Sequence, residues 1–142
     1  SQDRVGPDHL DGLVTVRGMG RLDTLVGRRL AGEPLQYVLG SWSFRTLDLM
    51  VDQRVLIPRP ETEAVVGHAL AEFDRVGGGR NEVLVADLGT GSGAIGLSIA
   101  AERVTARVWC TDVSRDALAV ARANLTGLGR PACRVTTALT GS

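Results

Sequence analysis

The residues of this chain best placed to do chemistry are two aspartates and the glycines between them. Asp87 is followed at alternate positions by Gly89, Gly91 and Gly93, and Asp112 lies about 19 residues beyond Gly93. Glycines at this spacing let a backbone turn approach a ligand closely, because no Cβ stands in the way. The free N–H groups of a helix that follows then point at whatever sits there. An acid at the end of the next strand is placed to accept both hydroxyls of an adenosine ribose. The implied chemistry is nucleoside binding, with the cofactor still open. Gly91, Gly93 and Gly96 also satisfy the GxGxxG spacing of dinucleotide-binding enzymes. A phosphate-gripping P-loop is excluded, since it needs a lysine and the sequence has none.

These residues need a strand, a tight turn and a helix, twice over. Val83 to Ala86 is an unbroken apolar run and predicts a strand buried on both faces of a parallel sheet, ending in Asp87. Ile95, Leu97, Ser98 and Ile99 then begin a helical pattern. Arg107 to Thr111 predicts a second strand, with Cys110 packed inside it. Ser114 is a good N-cap for a helix whose buried face carries Ala117, Leu118, Ala121 and Leu125 and which ends near Gly127 or Gly129. Asn124, polar and at the far end of that helix, reads as solvated. Arg134 to Leu139 predicts a third parallel strand.

Upstream, Leu22, Leu25, Val26 and Leu30 follow helical spacing from Arg21, and Gly32 with Pro34 closes the element. Residues 1–20 read as loop or frayed helix. From Ser41 to Asp52 the period changes to two, which predicts a β-hairpin. In VLIPRPETE (Val55 to Glu63) the prolines set an extended approach, and Glu61 and Glu63 fall in the first turn of a helix, where acids suit the helix dipole. Val65, Val66, Ala69, Leu70 and Phe73 give that helix one apolar face. Gly77, Gly78 and Gly79 mark a joint before the first parallel strand.

Composition narrows the field. The 142 residues are about one domain's worth, and 16 basic residues balance 16 acidic ones, so no global field draws the chain to nucleic acid or an anionic membrane. Every basic residue is arginine, which points to codon usage more than to function. No apolar run approaches the roughly 20 residues of a membrane span and no charged-then-apolar leader opens the chain, so a cytoplasmic setting is expected. Cys110 and Cys133 lack the spacing of a metal or redox motif, and His9 and His68 are solitary and read as solvated.

Four segments together carry a family resemblance. Asp87 with the three alternating glycines gives Asp-x-Gly-x-Gly-x-Gly, which resembles S-adenosylmethionine-dependent methyltransferases. GEPLQYVLG (Gly32 to Gly40), VLIPRPETE, ADLGTGSGAIGL and Asp112 occur in the order seen in the N5-glutamine methyltransferases of peptide chain release factors, and the likeness spans roughly Arg21 to Leu128. VLIPRPETE is its most specific element. The resemblance implies an α/β fold, the first half of a Rossmann-like, doubly wound methyltransferase domain over residues 59–142. A linking β-hairpin over 41–58 and a partial N-terminal helical substrate-docking region over 1–40 would precede it.

It implies S-adenosyl-L-methionine as cofactor, with Gly89, Thr90, Gly91, Ser92 and Gly93 enclosing its methionine end and Asp112 taking its ribose. Asp87 would orient the turn from behind, and VLIPRPETE would line the pocket. The implied partners are peptide chain release factors, whose Gly-Gly-Gln glutamine accepts the methyl group; neither membrane nor direct nucleic-acid binding is expected. The family holds the amide with an Asn-Pro-Pro-Tyr turn, but this sequence has no Pro-Pro pair, and its only asparagines, Asn81 and Asn124, stand in unrelated contexts. No catalytic residue or metal ligand is therefore assigned, and the 142 residues alone are expected to be inactive. A nicotinamide-dependent oxidoreductase, a non-catalytic nucleoside-binding half-domain and a methyltransferase for another amide or a nucleic-acid base remain as alternatives.

Overall fold

The computed structural model describes residues 15–141. Helix α1 (Val16–Leu30) starts earlier than the apolar spacing indicates, because the Thr15 hydroxyl caps it by accepting from the Gly18 N–H at 3.1 Å. The expectations for residues 1–14, His9 among them, lie outside the described residues. α1 buries none of its side chains, and Met19, Leu22 and Val26 lie half exposed along one side. A short α2 (Leu35–Leu39) ends at Gly40 in the left-handed conformation, and the hairpin follows as β1 (Ser41–Phe44) and β2 (Leu47–Met50), with Ser41 opposite Met50.

Helix α3 (Pro60–Gly77) begins on a proline, with Glu61 and Glu63 in its first turn. The strands β3 (Val83–Leu88), β4 (Ala106–Asp112) and β5 (Val135–Leu139) then form a parallel sheet in chain order, with α4 (Ala94–Glu102) and α5 (Arg115–Thr126) as the crossovers. Strands added in one direction by right-handed crossovers place both helices on one face. Burial follows suit: Ala106, Val108 and Cys110 of β4 are fully covered, while Arg107 and Trp109 between them are exposed. α4 is apolar around its whole circumference because α3, β3 and β4 all pack on it.

The expectation that β3 is buried on both faces does not hold. Leu84 is 67% and Leu88 76% exposed, since the face they share with Trp109 carries no helix among the described residues. On α3, Val66, Leu70 and Phe73 are buried as expected, whereas Val65 is half exposed on the flank of the apolar stripe. No helix among the described residues is long and apolar enough to cross a membrane.

One core joins the hairpin to the sheet. Phe44, Leu49, Val51 and Val55 pack in the same cluster as Val66 and Phe73 of α3, Leu97 of α4 and Val108 of β4. The hairpin tip is fastened by Arg45, in the left-handed region at φ 51, whose guanidinium donates to both carboxylate oxygens of Glu102 at 2.7 and 2.8 Å. Its backbone N–H donates to Glu63 at 2.9 Å. Glu102 is held below the usual carboxylate range by that hydrogen-bonded guanidinium.

At Gly96, helix α4 lies close against β3 and β4. A Cβ added to Gly96 would stand 2.6 Å from the buried Cys110 Sγ and 3.0 Å from Asp87 Oδ2, which two hydrogen bonds hold in place. Gly96→Ala is therefore expected to destabilise the chain by about 1–3 kcal/mol despite alanine's better helix propensity, with a smaller loss in a Cys110→Ala background. Urea midpoints of the four variants check this, and an unshifted Gly96→Ala midpoint would contradict it. Burial pushes the Cys110 thiol up to about 11, whereas Cys133 is exposed. Iodoacetamide at about pH 8 should modify Cys133 and spare Cys110 in the folded chain, as read by peptide mass spectrometry.

Candidate nucleoside-binding site

The turn after β3 exists in this form because its alternate residues are glycines. Gly89, Gly91 and Gly93 have φ of 71°, 56° and 87°, a region that side chains with a Cβ occupy only under strain. A Cβ on Gly89 or Gly91 would meet nothing within 4 Å, so the space above the turn is open. Asp87 holds the turn from beneath. Its Oδ2 accepts from the Thr90 hydroxyl at 2.6 Å and from the Gly96 N–H at 2.9 Å, joining the turn to the first residues of α4.

Asp112 closes the other side. Its Oδ2 accepts from the Gly91 N–H at 3.0 Å and its Oδ1 from the Ser114 N–H at 2.9 Å, while the Ser114 hydroxyl caps α5 by accepting from the Ala117 N–H. Both carboxylate oxygens are thus fixed by backbone, and each keeps lone-pair capacity toward the open side. The Thr90 N–H donates to the Thr111 carbonyl at 2.8 Å, so the turn is stitched to the end of the neighbouring strand.

An open cavity of about 860 Å³ lies over these residues, within the size range of small-molecule sites. The structure brings Gly89, Thr90, Gly91, Ser92 and Asp112 together on its floor, with Gly93 just behind as the N-cap of α4. Arg54 and residues 55–60, the first six of VLIPRPETE, form the facing wall with Tyr37 and Trp42. That wall is positioned through Val55, whose side chain is buried and whose carbonyl accepts from the Tyr37 hydroxyl at 2.6 Å. A smaller recess of about 310 Å³ nearby has its charges paired with one another, Arg28 with Glu33 and Arg54 with Asp52.

Asn124 is the clear correction. Expected in solvent, it is 9% exposed and ties three segments together: its Oδ1 accepts from the Met50 N–H at 2.6 Å, and its Nδ2 donates to the Met50 carbonyl at 3.0 Å and the Ser92 carbonyl at 2.8 Å. Because it sits on the buried stripe of α5 beside Ala117 and Ala121, an amide there must find partners inside. Position on the stripe was the available signal; nothing local named the partners. Tyr37 and Trp42 reach the cavity only through the folding of the hairpin region, which leaves no trace in their own neighbourhoods.

Residues 74–138 match the family model described as the methyltransferase small domain. The chain is 47% identical over 117 residues to the release factor glutamine methyltransferase of Moorella thermoacetica, an alignment covering 82% of this chain and 40% of that protein. It is 49% identical over 105 residues to the one from Xylella fastidiosa (74% of this chain, 37% of that protein) and 45% identical over 98 residues to the one from Bacillus subtilis (69% and 34%). The chain spans about 40% or less of the length of these curated relatives. The family resemblance read from the four sequence segments thus extends over most of the chain.

Removing the Asn124 side chain by Asn124→Ala leaves the Met50 N–H and two carbonyls to find other partners. A loss of about 2–3 kcal/mol is expected. Urea unfolding measures it, and a midpoint equal to that of the parent would show that these contacts carry no stability.

Proposed function

We propose, on the premise that this sequence is a stretch of a release factor glutamine methyltransferase, that its cavity binds S-adenosyl-L-methionine. The protein carrying it would act in the cytoplasm on peptide chain release factors, methylating the side-chain nitrogen of the Gly-Gly-Gln glutamine. The observation that carries this reading is the Asp112 carboxylate, locked by the Gly91 and Ser114 N–H groups at the edge of an open turn with glycine at alternate positions. A ribose presents two adjacent hydroxyl donors, and a fixed carboxylate accepts both without reorganising.

In this reading residues 89–93 enclose the methionine end and Asp112 holds the ribose. Asp87, whose Oδ2 accepts from the Thr90 hydroxyl and the Gly96 N–H, keeps the turn in shape from behind. Residues 59–142 are proposed as the first half of the methyltransferase domain, 41–58 as its hairpin joint and 1–40 as part of a helical docking region. The unburied apolar side of α1 supports the last.

When bound, the cofactor supplies a methyl group on an electron-poor sulfonium, so the protein need not activate it. The difficulty lies with the amide nitrogen, whose lone pair is delocalised into the carbonyl. Placing that nitrogen in line with the methyl group is therefore the main task of catalysis. The family's Asn-Pro-Pro-Tyr turn has no counterpart among these residues: the sequence has no Pro-Pro pair, and Asn124 is committed to Met50 and Ser92. We accordingly propose that these residues alone bind the cofactor without turning it over.

Isothermal titration with S-adenosyl-L-methionine is expected to show saturable binding that Asp112→Ala weakens by about 1.5–3 kcal/mol, through loss of a charged acceptor. Unchanged affinity in that variant would remove Asp112 from the site. Preferential binding of a nicotinamide dinucleotide would replace the whole reading.

A further inference from the structure

A nucleoside that ends in an amino acid brings a carboxylate and an ammonium into the cavity, and the walls have to meet the carboxylate with positive charge or free N–H donors. Several of the turn's own donors are already engaged within the fold. The Thr90 N–H is used by the Thr111 carbonyl, the Gly91 N–H by Asp112 and the Gly93 N–H by the Thr90 carbonyl. The cations lining the cavity are Arg54 and Arg59. Arg54 is engaged, its Nε and Nη2 donating to the two oxygens of Asp52 at 2.9 and 2.6 Å. Arg59 forms no ion pair among the described residues. The neighbouring acid Glu63 is turned away from it, onto the Arg45 backbone.

The backbone from which Arg59 departs is well fixed. It lies between Pro58 and Pro60 in extended conformation (φ −81°, ψ 153°) as the N-cap of α3, and the following proline disfavours any helical alternative. Pro58 is buried, so the segment is anchored beneath a side chain that stays accessible on the cavity wall.

We infer that Arg59 is the carboxylate-recognising residue of this cavity, pairing with the α-carboxylate of the bound amino-acid nucleoside. This rests on the reading that the cavity holds S-adenosyl-L-methionine. A guanidinium matches a carboxylate with two parallel N–H donors, which a lysine does not. Arg59 is exposed, so the pair is partly screened and contributes about tenfold in affinity, falling as salt rises.

The test compares S-adenosyl-L-methionine with its decarboxylated analogue, which differs only in the carboxylate, on the parent chain, Arg59→Gln and Arg59→Lys. The parent should prefer the carboxylated ligand by about tenfold, Arg59→Gln should bind both equally, and Arg59→Lys should retain part of the preference. Unchanged affinity of Arg59→Gln for the decarboxylated analogue shows that the fold and the nucleoside end are intact. If Arg59→Gln keeps the full preference of the parent, backbone N–H groups hold the carboxylate and the inference fails while the cofactor reading stands. If the parent binds neither ligand, the cofactor reading fails and takes the inference with it.

Discussion

The site depends on a single buried carboxylate oxygen. Asp87 Oδ2 accepts at once from the Thr90 side chain in the turn and from the Gly96 N–H in the first turn of α4, so one atom fixes the turn against the helix. A carboxylate withdrawn from water to this extent persists only when its lone pairs are used. Several other features follow from seating it there. Gly96 has to lack a Cβ, α4 has to lie close enough over β4 for Cys110 to pack beneath that glycine, and the three alternate residues of the turn have to adopt positive φ. Asp112 then adds the second restraint by gripping Gly91 from the next strand.

What was legible in the sequence was what neighbours in the chain decide. The strand, turn and helix around Asp87, the N-cap at Ser114, the proline start of α3 and the two-residue period of the hairpin are local patterns, and they appear where the spacing put them. The exposure of Leu84 and Leu88 was not legible, because an apolar run reads the same whether one face or both are covered; the number of helices packed on a sheet is not written in the strand. Asn124 was misread for a related reason. Its partners lie 74 and 32 positions away, and only the assembled fold shows that the end of α5 meets the end of the hairpin.

The cavity is made of two parts that the chain builds separately. Its floor comes from the ends of β3 and β4, and its facing wall from the segment after the hairpin. Two contacts of different kinds hold the parts in register, Arg45 on Glu102 at the hairpin tip and Asn124 on Met50 at its open end, while Tyr37 on the carbonyl of Val55 braces the wall itself. With Phe44, Leu49 and Val51 in the same core as α3 and α4, the hairpin behaves as part of the sheet domain rather than as a tether beside it.

The Met50–Asn124 contact also has a consequence in time. It closes a loop of 74 positions, and long closures carry an entropic cost that nearer contacts must first offset. The wall segment leaves the ribosome well before α5, yet this one of its anchors does not exist until α5 has formed. Of the contacts that hold the hairpin to the sheet, the one made by Asn124 thus becomes available last.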